Sequence, residues 1–438
     1  MPKSEDQFTA FYRNGKAVQC EFSGEALSSD AGLLLLEKLE RKHGLIREFA
    51  AQLPDKRAPD QVVHTYRKQI QQRVFLMGQG YADGNDSSYL RRDPVLEQLL
   101  DRGPCSQPTL SRMENSMDRA TMLRLYRWWI DRYVEGLPED SGEIILDVDT
   151  TDDPTHGAQQ LSLFHGYYRQ WMYQELVVFD GQSGQLVLPV LLPGTWYAGK
   201  AGAWVLGEIT EKIRSRFPDI RILIRADAGF SCPRFYRMVQ QKRVEFCLGM
   251  GANPVLKALS KETEERVRRE YLARGEKHQC LLGPFCYQAG SWVSPQSVYA
   301  KVESTGKGMN TRFFVSNIAN EQAASLYFDF YVRRGETCEN RIKELKNMCY
   351  SDRLSCHRFW ANAFRLLLSG LVYEFFRLIK NLIGRTRYEQ ATSWMIDNIR
   401  LYLLKVGAMV CVRARYLRIR LARAFSQQNL FRELIQLC

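Results

Sequence analysis

The stretch that most constrains this chain is IILDVDTTDD, at 144–153. Ile144, Ile145, Leu146 and Val148 form a short apolar, β-branched run that reads as a buried strand. Side chains alternate along a strand, so Asp147 and Asp149 share one face. Asp152, Asp153 and Pro154 read as the break that ends it. An unpaired buried carboxylate is strongly disfavoured, so something positive is expected opposite these acids. A divalent metal is the first candidate. Turn acids after an ordinary strand are the simpler reading of the stretch alone.

The chain has 438 residues, room for two or three domains. A hydrophobic share of 45% with 25% charged residues is that of a folded protein. The net charge of +12, from 61 basic and 49 acidic residues, fits a polyanion partner, nucleic acid before membrane surface. The 11 cysteines contain no CxxC pair. They read as small buried hydrophobes in a reducing compartment rather than as a zinc framework. The N-terminus lacks the apolar core of a signal peptide. The most apolar run, 363–379, is interrupted by Arg365, Glu374 and Arg377 and reads as a buried helix. A cytoplasmic location is expected. No GxxxxGK[ST] occurs, which disfavours a P-loop NTPase.

Taken in order, residues 1–24 are polar and weakly patterned. Helices are expected after Ser28–Asp30, over about 60–77 and over 94–101. SQPTLSRMEN, 106–115, is a short helix that presents Arg112 and Asn115, a weak match to a helix-turn-helix reader. A longer helix covers 120–134, and LPEDSG, 137–142, marks a boundary. From 143 the pattern becomes strands at 176–179, 186–192, 220–224 and 244–249, with helices at 202–217 and 233–241 between them. Residues 255–310 hold a charged helix and short Gly- and Pro-rich strands. An apolar strand, 311–317, and a basic helix, about 321–347, follow. The last ninety residues read as helical, with Arg413, Arg415, Arg418, Arg420 and Arg423 forming either a solvated face or a phosphate-contacting one.

Two further acids join the first. ILIRADAGF ends a strand at Asp227, before small residues that leave space beside the carboxylate. On YVRRGETCENRIKELK, 331–346, Glu339 and Lys346 lie seven apart on one helix face. Each alone has an ordinary explanation, in a turn or a solvated helix. Together, three converging carboxylates are a site for two Mg²⁺ ions about 3.5–4 Å apart, one activating a water or a 3′-hydroxyl and the other stabilising the leaving oxygen.

QPTLSRMEN, LDVDTTDDPTHG, FHGYY, RADAGF and YVRRGETCENRIKELK, in this order, make the chain resemble the Asp-Asp-Glu transposases of bacterial insertion sequences, within them the group named after insertion sequence 1380. The resemblance implies an α/β fold: an RNase H-like mixed-sheet core with a β-rich insertion, flanked by N-terminal and C-terminal helical regions. The implied domains are a DNA-binding region at 1–140, core at 141–254 and 311–350, insertion at 255–310 and a helical region at 351–438. It implies Asp149, Asp227 and Glu339 as catalytic metal ligands, with Asp147 as the alternative first acid and Glu336 as an alternative third. Mg²⁺ is the implied cofactor, as two ions, with Mn²⁺ in its place possible. Tyr331, Arg334 and Lys346 are implied near transposon-end phosphates. The Glu-to-Lys interval matches the family pattern, while the Arg-to-Glu interval is one residue longer. Implied partners are double-stranded DNA, both terminal inverted repeats and target, and a second protomer on that DNA. An RNase H-like nuclease that cuts without joining, and a non-catalytic element-derived DNA-binding protein, are the alternatives. Trp292 has a core reading and a base-stacking one.

Overall fold

The computed structural model describes residues 7–22, 26–100, 103–275, 277–319 and 321–438, with Glu336 by its backbone only. Glu336 as an alternative acid therefore lies outside the described side chains. In chain order the strands are β1 (Phe8–Arg13), β2 (Lys16–Cys20), β3 (Leu27–Ser28), β4 (Glu143–Pro154), β5 (Leu163–His165), β6 (Gln170–Asp180), β7 (Leu186–Pro193), β8 (Arg221–Ala226), β9 (Glu245–Met250), β10 (His278–Tyr287), β11 (Gln296–Thr305), β12 (Gly308–Ser316), β13 (Ala408–Arg413) and β14 (Tyr416–Leu421). The chain divides into two compact units, one of residues up to 50, 55–113 and 378–438, the other of 51–54 and 114–377.

The second unit is built on a nine-stranded sheet of order β10-β11-β12-β9-β8-β4-β6-β5, with β7 also on β6. β4 runs antiparallel to β6 and parallel to β8, and β8 is parallel to β9. Ile144, Leu146 and Val148 are 0–1% exposed, while Ile145 is half-buried. This is the near-continuous burial of a central strand covered on both faces. On one face Gly202, in the helix Ala198–Arg216, lies against the Phe230 ring and Leu176. On the other, Arg334 and Arg341 reach down from the helix Val332–Lys343 to Asp149 and to the Asp180 carbonyl.

One expectation about β4 is corrected here. β4 does not stop before Asp152: it continues to Pro154, paired there with Met172. Pro154 is the last residue of the strand, where a missing N–H costs least. β10 and β11, within 255–310, join the main sheet through β12, which pairs with β9 from Phe313↔Met250 to Ser316↔Cys247. Trp292 packs in the core of this part, 4.6 Å from the Tyr236 ring and 5.4 Å from Tyr287.

In the first unit, the helices Leu33–His43 and Tyr66–Gly78 bury Leu35, Leu36, Leu39, Ile70, Val74 and Phe75. The two ends of the chain meet where Ala408 pairs with Ser28 and Lys405 Nζ lies 2.6 Å from the buried carboxylate of Asp30. The C-terminal region is not wholly helical. Arg413, Arg415, Arg418 and Arg420 fall on and around the β13–β14 hairpin. Arg418 and Arg420, two apart on β14, keep a strand period, and Val410 and Ile419, paired across the hairpin, occupy the alternate positions. Residues 8–20 form a hairpin as well. Its turn is Asn14-Gly15, with φ of 50° and 76°, the backbone that type I′ requires. No helix among the described residues is long and apolar enough to cross a membrane.

Candidate active site

Parallel pairing of β4 with β8 sets Val148 opposite Ala226, which brings Asp149, where β4 runs on past its neighbour, beside Asp227, just after β8. Burial raises the pKa of Asp227 above the usual carboxylate range, and Asp149 adds to it, against the opposing pull of the Gly229 N–H and Arg334. The Asp227 carboxylate accepts that N–H at 2.9 Å and so caps the turn Ala228–Phe230.

The positive groups expected opposite the strand acids are present, and they are guanidinium groups. Asp147, 0% exposed, receives Arg225 through two bonds, Nε to Oδ1 at 2.7 Å and Nη2 to Oδ2 at 2.9 Å. Arg225 also donates to the Phe330 carbonyl. Asp147 is thereby committed to a buried ion pair, of the kind whose rupture costs about 3–5 kcal/mol. Asp149 accepts from Arg334 Nη1 at 2.6 Å, while Arg334 Nε has no hydrogen-bond partner among the described residues.

Helical spacing explains what faces these acids. Position 338, four after Arg334, points the same way and is Cys338. Its thiol is pushed up by burial first, then by Asp149 and Asp147. Glu339 is rotated by a further ~100° and is exposed. The extra residue in the Arg-to-Glu interval is thus visible as a change of face. Asp149 and Asp227 come together, but among the described residues no group of three His, Cys, Asp or Glu side chains is arranged to hold a metal. The adjacent pair fits one divalent ion by donor chemistry; the expected three-acid convergence with Glu339 is not formed. π-helical turns, Ser325–Tyr331 and Glu344–Met348, flank the Val332–Lys343 helix.

Lys346 donates to Thr151 Oγ1 at 3.2 Å and to the Asp152 carbonyl, fastening the helix to the outgoing part of β4. Tyr331 stacks near Phe314, at 6.3 Å and 13°. Its hydroxyl lies 2.7 Å from where a Cβ on Gly249 would stand, so a side chain there would push the Tyr331 ring aside. Arg112 is exposed on its helix in 107–115, where it accompanies Thr109. It belongs to the first unit and the acids to the second.

Sequence reasoning missed three features. Arg225, inside RADAGF, was overshadowed by Asp227. A buried carboxylate cluster lies beyond the first acids: Asp153 is 1% exposed with neither oxygen hydrogen-bonded among the described residues, and Glu175, 0% exposed, accepts from Ser351 at 2.7 Å. The TDDP acids looked like a strand break, which hid Asp153. The third is a set of exposed aromatics around Tyr168 and Tyr197, for which FHGYY was the available signal.

A mixed sheet with two acids side by side on parallel strands, and a basic helix across them, defines an α/β protein with a candidate acidic site. Residues 12–437 match the family described as Transposase DDE domain group 1, and the chain belongs to it. Transposases of this kind are polynucleotidyl-transfer enzymes that generally use divalent metals. No curated protein matches the chain.

Proposed function

We propose that this transposase, of the group named after insertion sequence 1380, binds the terminal inverted repeats of its element and performs Mg²⁺-dependent strand cleavage and strand transfer by phosphoryl transfer. The observation that carries the reading is the Asp149–Asp227 pair, side by side where β8 ends against β4, faced by Arg334 of one helix. The order β7-β6-β4-β8-β9, antiparallel and then parallel, supports treating this part of the sheet as an RNase H-like core. Asp149 and Asp227 would hold the divalent ion, which when bound supplies charge stabilisation and an activated water or 3′-hydroxyl. Arg334 pairs with Asp149, beside which a phosphate would meet its positive charge. Lys346 and Tyr331 border the same end of the sheet. Glu339 stays the proposed third ligand. A one-residue register change at either flanking π-helical turn rotates the helix by about 100° and carries Glu339 onto the face that Cys338 now holds. The 1–140 region would read the repeats, Arg112 among its contacts, and two protomers would pair two element ends before joining them to target DNA.

The test is metal-dependent nicking and strand transfer on duplexes carrying the element's ends. Asp149→Ala, Asp227→Ala and Glu339→Ala should each abolish cleavage and leave end binding largely intact. Full cleavage by any one variant removes that residue from the site. The outward position of Glu339 favours, as a second reading, a non-catalytic DNA-binding protein; absence of nicking by the unaltered chain with Mg²⁺ would select it. Cutting without joining would select an RNase H-like nuclease.

A further inference from the structure

Large aromatic side chains are usually placed where their surface is buried, so a contiguous set left in solvent marks an interaction site. Two neighbouring segments of the sheet unit carry such a set. In the β5–β6 hairpin, Tyr167 is 84% exposed, Tyr168 47% and Trp171 57%. In the turn after β7, Trp196 is 58% exposed and Tyr197 49%.

Both segments border the paired acids. Gln170, at the foot of the hairpin, donates to Asp152 Oδ2 at 2.8 Å, the residue that also receives Lys346. The phenol of Tyr168 is raised by burial first, and then by Asp152, Asp227 and Asp149 among its neighbours. The Tyr197 turn packs on the Asp227 turn. A Cβ on Gly199 would stand 2.6 Å from the Gly229 carbonyl and 3.3 Å from the Tyr197 ring. Tyr168 is braced by His165 and edge-on by Tyr167, each with ring centroids 5.0 Å away. Arg169 and Lys200, both exposed, lie beside the two segments.

Held phenol rings next to cations, at the mouth of a phosphoryl-transfer site, suit one kind of occupant. In intact duplex DNA the base faces are already stacked on each other. An aromatic side chain gains a base face only where the strand is unpaired. We propose that Tyr168 and Tyr197 stack on unpaired nucleotides flanking the scissile phosphate, with Tyr167 supporting Tyr168. The proposal rests on the transposase reading above, and it assigns the aromatic border of the acids a positioning role.

The test uses the full chain without divalent metal, so that binding is read apart from chemistry. The probes are a mixed-sequence duplex interrupted by a short oligo-dT gap containing 2-aminopurine, and its fully paired counterpart. The unaltered chain should bind the gapped probe more tightly and change the 2-aminopurine fluorescence. Y168A/Y197A should lose that preference by about tenfold or more, together with the fluorescence change, while Y168F/Y197F keeps both. Because the phenylalanine variant retains the rings, it also controls for folding. The proposal falls if the alanine variant keeps the preference and the signal, if the phenylalanine variant loses them equally, or if the unaltered chain shows no preference for the gap. Failure of the transposase reading appears elsewhere, as absence of nicking by the unaltered chain with Mg²⁺.

Discussion

Asp153 shows how a residue's surroundings decide its chemistry. Burial, followed by Glu175 and Asp352, pushes its pKa up to about 9, against the pull of Lys346; Asp152 raises it further. Glu175 is pushed up to about 7 by burial, against its Ser351 bond and Lys346 and with the help of Asp352 and Asp152. The folded protein therefore keeps protons that the unfolded chain releases near the ordinary carboxylate pKa of about 4. Stability from these protons is complete below that pH and is lost as pH rises through about 7 and about 9. Asp153→Asn keeps the shape and removes one titration. The melting temperature of the variant relative to the unaltered chain should rise from about pH 5 to about pH 8. A constant difference across that range would show that Asp153 titrates alike in both states. None of this was legible in TDDP, because three polar residues before a proline carry the signature of a turn. The strand pairing that buries Asp153 is a long-range contact.

At the scale of elements, legibility followed periodicity. β4, β7 and β8 and the helix Arg119–Glu135 stand close to where their apolar spacing places them, and Asp118 supplies the cap for that helix through the Thr121 N–H at 2.8 Å. The β13–β14 hairpin was misread because arginine is tolerated on helix and strand surfaces alike. Helical periodicity placed Glu339 and Lys346 on one face, and Glu339 is exposed. The interval of seven to Lys346 is right for one face, but the facing acids sit on the Arg334 and Cys338 side. The turn carrying Tyr197 depends on close backbone approach. Gly199→Ala would drive a Cβ to within 2.6 Å of a backbone oxygen, so the Ala198–Arg216 helix and the Asp227 turn must separate. A loss of about 1–3 kcal/mol in denaturant unfolding is expected, with reduced cleavage. Unchanged unfolding would mean that the turn yields without cost.

For the whole molecule, the +12 charge bears on association rather than on fold. Arg413, Arg418 and Arg420 share one side of the β13–β14 hairpin with Tyr416, opposite partners in register. All three are exposed. DNA binding should weaken linearly on a log–log plot against salt, and R413A/R418A/R420A should lower that slope by about one for each phosphate that the arginines neutralise. An unchanged slope would place the phosphate-binding surface elsewhere. The sequence by itself determined the transposase family, the buried strand with acids on one face, and the second acid at a strand end, since these follow from local period and from motif order. Only the tertiary structure decided that Asp147 is spent on Arg225, that Asp149 meets Arg334, that Glu339 faces outward and that two tyrosines flank the acids. Each of those depends on which residues, far apart in the chain, share a strand neighbour or a helix face, and no local pattern encodes that pairing.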